Sequence, residues 1–139
     1  MNLKYLLDTN VVSEPLRQEP ASTVLRRLRH HEEDIAIPSV VWHELQFGVE
    51  RLPRSRRRAT IERYLKDVVL ATIPILDYDR TAAEWHARER ARLVASGQTP
   101  PFADGQIAAI ALVNGLILVT SNESDFKRFK GIRLESWMP

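Results

Sequence analysis

The sequence predicts an α/β fold, with three layers in which helices cover both faces of a central parallel sheet. Short apolar runs alternate with longer stretches of helical periodicity along the chain, the pattern of strand and crossover helix in turn. Two of the runs, within residues 3–10 and 116–120, are apolar at nearly every position up to Leu7 and Val119, as strands buried on both faces are. Both stop abruptly in carboxylates, hydroxyls and amides. In open parallel sheets ligands collect beyond the carboxyl ends of the strands, so those stops mark a candidate site.

At 139 residues the chain fits one domain, residues 1–139, large enough to bury a core without disulfides. Cysteine is absent, which removes disulfide frameworks, thiolate zinc sites and cysteine nucleophiles and suits a reducing compartment. Any metal must rest on oxygen or imidazole. No apolar stretch approaches membrane-spanning length and no secretory leader pattern opens the chain, so a soluble, cytoplasmic protein is expected. The formal charge of +2 argues only weakly for nucleic acid.

The first strand, residues 3–10, carries Asp8, with Thr9 and Asn10 behind it. Asp8 reads either as the start of the chemistry or as a turn and cap residue. A short helical turn follows at residues 11–15, and residues 21–31 form a helix with Val24, Leu25 and Leu28 on one side and arginines elsewhere. Residues 35–37 are the second strand, closed by Pro38, and Ser39 is a plausible N-cap for a helix over 39–52. Glu44 lies inside that helix among bulky apolar neighbours, without an i,i+4 partner, since position 48 is glycine. His43-Glu44 suggests a zinc protease helix, but such a helix needs a second imidazole one turn on and position 47 is Phe.

Residues 52–55 break the helix, and Ser55 caps another running to about residue 70. Arg51, Arg54, Arg56, Arg57 and Arg58 make this junction strongly basic, and they are candidate RNA contacts. Residues 72–76 read as a third strand, at a sheet edge because of Pro74. Asp79 starts a helix ended by Ser96-Gly97, and His86 within it has no partner at metal-ligand spacing. After a loop, residues 103–114 form a helix stopped by Gly115, apolar nearly all round and hence buried, with Asp104 in its first turn. An acid there also gains about 0.3–1 kcal/mol from the helix dipole. The strand at 116–120 is followed by Ser121, Asn122, Glu123, Ser124 and Asp125; residues 132–134 add a short last strand, and Trp137 a terminal anchor.

Asp8, Glu44, Asp104 and Asp125 all fall where such a topology brings them to one edge of the sheet. Two carboxylates about 4 Å apart repel by roughly 4 kcal/mol at an effective dielectric near 20, so the four need a cation. All-oxygen ligation favours Mg²⁺ or Mn²⁺, with coordination positions left for water and phosphate oxygens. Phosphate-ester hydrolysis fits such a site. Thr9, Asn10, Thr120 and Asn122 are neutral groups able to orient a water or a carboxylate.

Four stretches carry a resemblance: Leu-Leu-Asp-Thr-Asn-Val-Val-Ser-Glu-Pro at 6–15, the Glu44 helix with Gly48-Val49-Glu50-Arg51, Asp-Gly-Gln-Ile-Ala-Ala-Ile-Ala-Leu at 104–112, and Leu-Val-Thr-Ser-Asn-Glu-Ser-Asp-Phe at 118–126. In this order they resemble the PIN domain, specifically the VapC or FitB type of toxin in bacterial type II toxin-antitoxin pairs. The resemblance implies a single PIN-like nuclease domain: a Mg²⁺-dependent endoribonuclease, with Mn²⁺ a possible substitute and transfer RNA a plausible target. It also implies a homodimer held inactive by a VapB-type antitoxin, with DNA contacted only through that antitoxin and no membrane association. Asp8, Glu44, Asp104 and Asp125 would be the acidic quartet, with Asp8 and Asp104 the safest metal ligands. Two positions depart from the pattern. Gly105 stands where such toxins often carry Ala, which should only loosen the first helical turn; Ser121 stands where a basic residue is common, and Glu123 beside it is a rival to Asp125.

Two other classes compete. A phosphotransferase using Asp8 as nucleophile would want a second acid two residues on, where this chain has Asn10. A non-catalytic nucleic-acid or protein-binding module would be expected to have lost one of the four acids, and all four are present.

Overall fold

In the computed structural model, which describes residues 2–139, five parallel strands form one sheet in the order β3-β2-β1-β4-β5. The strands are β1 (Tyr5–Leu7), β2 (Ile35–Pro38), β3 (Ile75–Leu76), β4 (Ile117–Val119) and β5 (Leu134–Glu135). Leu6, Leu7, Ala36, Ile37, Leu118 and Val119 are all buried at consecutive positions, so the sheet is covered on both faces, as three layers require. The helices are α1 (Thr9–Val12), α2 (Ser22–His30), α3 (Ser39–Glu50), α4 (Arg56–Tyr64), α5 (Arg80–Ala95), α6 (Phe102–Val113) and α7 (Glu123–Phe126).

Local chemistry sets most of the boundaries. Ser55 caps α4 by accepting from the Arg58 amide at 3.1 Å, and Asp79 caps α5 by accepting from the Ala82 amide at 3.0 Å. Gly97 and Gly115 end α5 and α6 with positive φ. In each case the following amide, of Gln98 or Leu116, reaches back five residues, to Leu93 or Ala111, and closes the helix end. Trp137 is the expected anchor, buried edge-on against Tyr5 and donating its indole N–H to Glu135.

Several expectations need correction. The first strand is three residues long, because the chain turns into α1 directly after Asp8 and takes Thr9 and Asn10 with it. Ser39 is the first residue of α3, not its cap: Pro38 takes that position, with no side-chain cap bond. Residues 72 and 73 do not join a strand. α4 runs on as a π-helical stretch, Leu65–Leu70, which buries Leu65 and Val69, and only Ile75 and Leu76 pair with β2. The β3 edge position is as Pro74 suggests. The last strand begins at Leu134, because Gly131 and Ile132 are still turning. No described helix is long and apolar enough to cross a membrane.

The order of strands positions the site. From β1 the chain moves outward through β2 to β3, then returns to the other side of β1 as β4. The crossovers therefore diverge between β1 and β4, and a crevice opens at their carboxyl ends. Asp8 follows β1 there, and Thr120 follows β4.

Candidate active site

The register Leu7↔Val119 makes Asp8 and Thr120 the next facing pair. The Asp8 amide donates to the Val119 carbonyl at 3.0 Å, so the backbone is still tied to β4 at the point where the carboxylate emerges. The cap reading of Asp8 holds, and its second oxygen is tied to the loop after β4. Oδ1 accepts from the Thr9 amide at 2.8 Å at the start of α1, and Oδ2 accepts from the Thr120 hydroxyl at 2.8 Å. Thr120 Oγ1 in turn accepts from the Asn122 amide at 3.0 Å, and Asn10 Oδ1 accepts from the Ser121 amide at 3.2 Å. The loops after β1 and β4 are thus stitched together, and Asp8 is held in one orientation. Its oxygens retain lone pairs for a further ligand. Tyr64 steadies α1 from behind, donating its hydroxyl to the Val12 carbonyl at 2.6 Å, and burial pushes that phenol up to about 12.

Asp104 lies in the first turn of α6. Gly105 and residues 107–111 of that helix are buried, so its N-terminus is fixed against the core, as its all-round apolar sequence predicts. Asp125 sits in α7, directly beyond β4. Burial raises the Asp8 carboxyl above its usual range; its two hydrogen bonds oppose this, and the charges of Asp125 and Glu44 add to it. Burial also raises Asp104, with Asp125 and Asp8 adding to the effect and the Arg128 guanidinium offsetting part of it. The fold therefore brings Asp8, Asp104, Asp125 and Glu44 into one electrostatic field. Asp125 acts on both inner acids and Glu123 shifts neither.

Glu44 differs from its expected surroundings. α3 buries only the stripe Val41, Leu45 and Val49. Glu44 lies one residue, about 100°, round the helix from Leu45, and its side chain is 48% exposed with His43 Nδ1 4.0 Å away. Its link to the other acids is its charge, which acts on Asp8. Arg58 also departs from the basic group. Its guanidinium donates to the Leu52 carbonyl at 2.7 Å and pairs with Glu50 and Glu62, so it fastens α3 to α4. Arg51, Arg54, Arg56 and Arg57 are exposed. Arg51 is seven residues beyond Glu44, about 10 Å along the helix axis.

Sequence reasoning missed Arg128, the cation facing Asp104, whose only signal was its spacing three residues after Asp125. It also missed His86 and the reason for Gly105. His86 is buried, its Nδ1 is 2.8 Å from the Tyr78 hydroxyl, and burial, with a contribution from Arg90, lowers its pKa. The ring sits so close over Gly105 that an added Cβ would stand 2.1 Å from Nε2. Glycine is thus required by packing here, and the expectation of a merely looser turn is corrected.

The PIN domain family model matches residues 5–132, a span containing all four acids. The chain belongs to the PIN domain family. Among curated relatives it is 36% identical over 136 residues to the tRNA(fMet)-specific endonuclease VapC of Shigella flexneri, covering 97% of this chain and 98% of the relative. Among solved structures it superposes on FitAB bound to the IR36 DNA fragment with a TM-score of 0.88 at 27% identity, covering 97% of this chain and 96% of that one. The VapBC complex of Salmonella typhimurium, solved bound to DNA, gives a TM-score of 0.85 at 30% identity, covering 97% and 98%. This PIN domain therefore stands among the VapC and FitB ribonuclease toxins, and its acids lie at the carboxyl end of the PIN sheet.

Proposed function

We propose that this PIN domain, residues 1–139, is a cytoplasmic endoribonuclease toxin that hydrolyses RNA phosphodiester bonds with a divalent ion, Mg²⁺ by preference. Asp8 and Asp104 would be its principal ligands, and Asp125 and Glu44 the outer acids. The observation that carries this reading is the convergence of carboxylate charge on one crevice: Asp8 is raised by burial and by the charges of Asp125 and Glu44, and Asp104 by burial and by those of Asp125 and Asp8. Carboxylates that raise one another's pKa at a partly buried crevice are relieved by a cation. The donor set fits a hard, oxygen-seeking ion. Among the described residues no three histidine, aspartate and glutamate side chains stand closely enough to grip an ion by themselves. Mg²⁺ keeps several waters and takes one or two carboxylates plus substrate phosphate oxygens, and Asp8 and Asp104 would be those two.

When bound, the ion supplies a Lewis acid for the phosphate and makes water a stronger nucleophile. The chain's own residues do the positioning. Thr120 and the Thr9 amide fix both Asp8 oxygens, so the carboxylate loses no energy reorganising during reaction. Asp125 is exposed at the mouth and is the acid best placed to orient an attacking water. Arg128 offsets part of the negative charge acting on Asp104 and would be the cation offered to a phosphate there. Exposed arginines at the α3–α4 junction would hold the RNA backbone without reading its bases.

The neighbours' structures, FitAB and VapBC each solved with DNA, support a VapB-type antitoxin as partner; two toxin copies in the assembly and DNA contact through the antitoxin belong to the same proposal. α3 and α5 are the candidate partner surfaces. The test is cleavage of a total small-RNA pool by antitoxin-free protein in Mg²⁺, in Mn²⁺ and in EDTA, with Asp8→Asn and Asp104→Asn alongside. Metal-dependent cuts are expected from wild type and none from either variant. An Asp8→Asn protein that cuts with unchanged metal dependence would sink the assignment.

A further inference from the structure

Arg128 is a half-buried cation without a counter-ion. Its Nε is shut off from solvent and has no hydrogen-bond partner among the described residues. No carboxylate of those residues pairs with it within 4 Å. An exposed lysine without a partner is ordinary, whereas a guanidinium drawn out of water is normally paired. Asp104 feels the charge of Arg128 without touching it.

The main chain around Arg128 is nevertheless held firmly. Phe126 and Phe129, on either side of it, are both buried in the core. Arg92 Nη2 donates to the Arg128 carbonyl at 3.0 Å, and Arg92 Nε donates to Glu89. The second oxygen of Glu89 accepts from the Lys130 amide. Glu89 is 7% exposed, and its Arg92 hydrogen bond keeps the carboxyl below its ordinary range against the pull of burial. The hydrolytic roles of Asp8, Asp104 and Asp125 make no use of it. The buried stripe of α5 that carries Glu89 also carries His86, one turn earlier, which is seated on Gly105 next to Asp104. One side of α5 therefore holds both the first turn of α6 and residues 128–130, the two pieces of chain that bring Asp104 and Arg128 together.

We propose that Glu89 is a positioning residue: with Arg92 it clasps the main chain at 128–130 and so aims the Arg128 guanidinium at one phosphate of the RNA backbone bound next to Asp104. The proposal rests on the nuclease reading above and names what sets its phosphate contact. A guanidinium presents a planar fork of donors that matches phosphate oxygens. The chain supplies no anion in contact with Arg128, so the anion comes from outside, and in a nuclease the anion delivered to this crevice is the RNA backbone. Fixing the main chain beforehand lowers the ordering cost of that contact. Loss of the clasp therefore weakens RNA binding through Arg128 and by no other route.

The test measures binding of a short single-stranded oligoribonucleotide to antitoxin-free protein in EDTA by fluorescence anisotropy, over a range of KCl concentrations. Wild type is compared with Arg128→Gln, Arg128→Lys, Glu89→Gln and the Glu89→Gln/Arg128→Gln double variant, each shown to be folded by circular dichroism. Arg128→Gln should bind about tenfold more weakly, as for one hydrogen bond to a charged group. Its slope of log affinity against log salt should be shallower by about 0.7, the value for one phosphate contact on a single strand. Arg128→Lys should keep the slope and recover only part of the affinity. Glu89→Gln should weaken binding about threefold to tenfold while Arg128 is present and not at all once it is replaced, a coupling that a merely structural role does not produce. Arg92→Lys keeps a charge beside Glu89 but cannot also reach the Arg128 carbonyl; it should show the same coupling and serves where Glu89→Gln does not fold. In Mg²⁺ the losses should appear in KM with kcat little changed. Unchanged affinity and slope in Arg128→Gln overturn the phosphate contact, and loss of antitoxin binding in that variant instead makes Arg128 a partner contact. Equal weakening by Glu89→Gln in both backgrounds overturns the clasp. Failure of wild type to cut RNA in Mg²⁺ overturns the nuclease reading separately, because the binding measurements need no cleavage.

Discussion

Replacing Gly105 by alanine should destabilise this protein, and the same change should stabilise it once His86 has been shortened. The alanine Cβ would lie 2.1 Å from His86 Nε2 and 2.7 Å from Cδ2, against about 3.5–4.0 Å for an ordinary contact. His86 cannot simply swing aside, because it is buried, tied to Tyr78 at 2.8 Å and packed on Phe102. Overpacking costs about 1–3 kcal/mol, and loss of the Tyr78 bond about 0.5–1.5 kcal/mol. Alanine in a helix returns about 1 kcal/mol relative to glycine. The net loss is about 1–3 kcal/mol, or a fall in Tm of roughly 4–12 °C for a chain of this size. With His86→Ala the clash vanishes and only the gain remains, so a double-mutant cycle should show a coupling of about 2–4 kcal/mol. Urea unfolding of wild type, the two single variants and the double variant measures it. Gly105→Ala stabilising both backgrounds equally would refute the packing argument. Cleavage assays on the same proteins would follow the effect into Asp104, the next residue.

Three further outcomes are expected. Asp8 and Asp104 both titrate above their ordinary values when folded, so the folded chain holds protons that the unfolded chain releases. Their contribution to metal-free stability is fully present below about pH 4 and is lost as pH rises through the raised folded values. Tm in EDTA measured from pH 4 to pH 7 should therefore fall less steeply in Asp8→Asn and Asp104→Asn than in wild type, and parallel profiles would contradict the shifts. Mg²⁺ at about one hundred times its dissociation constant should stabilise wild type by roughly 2.7 kcal/mol, and Asp104→Asn should lose most of that gain in a thermal scan. Thr120→Val keeps the shape but leaves Asp8 Oδ2 and the Asn122 amide without their partner. It should cost about 1–3 kcal/mol in urea unfolding and reduce cleavage at unchanged RNA affinity.

What the sequence determined by itself was whatever depends on neighbours along the chain. The αL glycines at 97 and 115 and the caps at Ser55 and Asp79 are local hydrogen-bonding chemistry, and they lie where the residues indicate. Unbroken apolar runs ending in Asp8 and Thr120 identified buried parallel strands, and hence the edge where a site would form. The bounds of β1 and β3 escaped this reasoning because helix and strand compete over a few residues, and α1 and the π-helical stretch won by packing.

The tertiary structure alone decided how the acids relate to one another. Thr120 reaches Asp8 across 112 residues because of the β1–β4 register, which no local pattern encodes. That the charge of Asp125 acts on Asp8 and Asp104 depends on which way a four-residue helix turns after β4, and the exposure of Glu44 on which stripe of α3 meets the core. Gly105 and His86 make the same point. Each looks unremarkable in its own helix, and only the packing of α5 on α6 makes one the condition of the other. Local order follows from covalent geometry and nearest neighbours, whereas a site assembled from four distant acids is fixed by register and packing, which exist only once the chain has closed on itself.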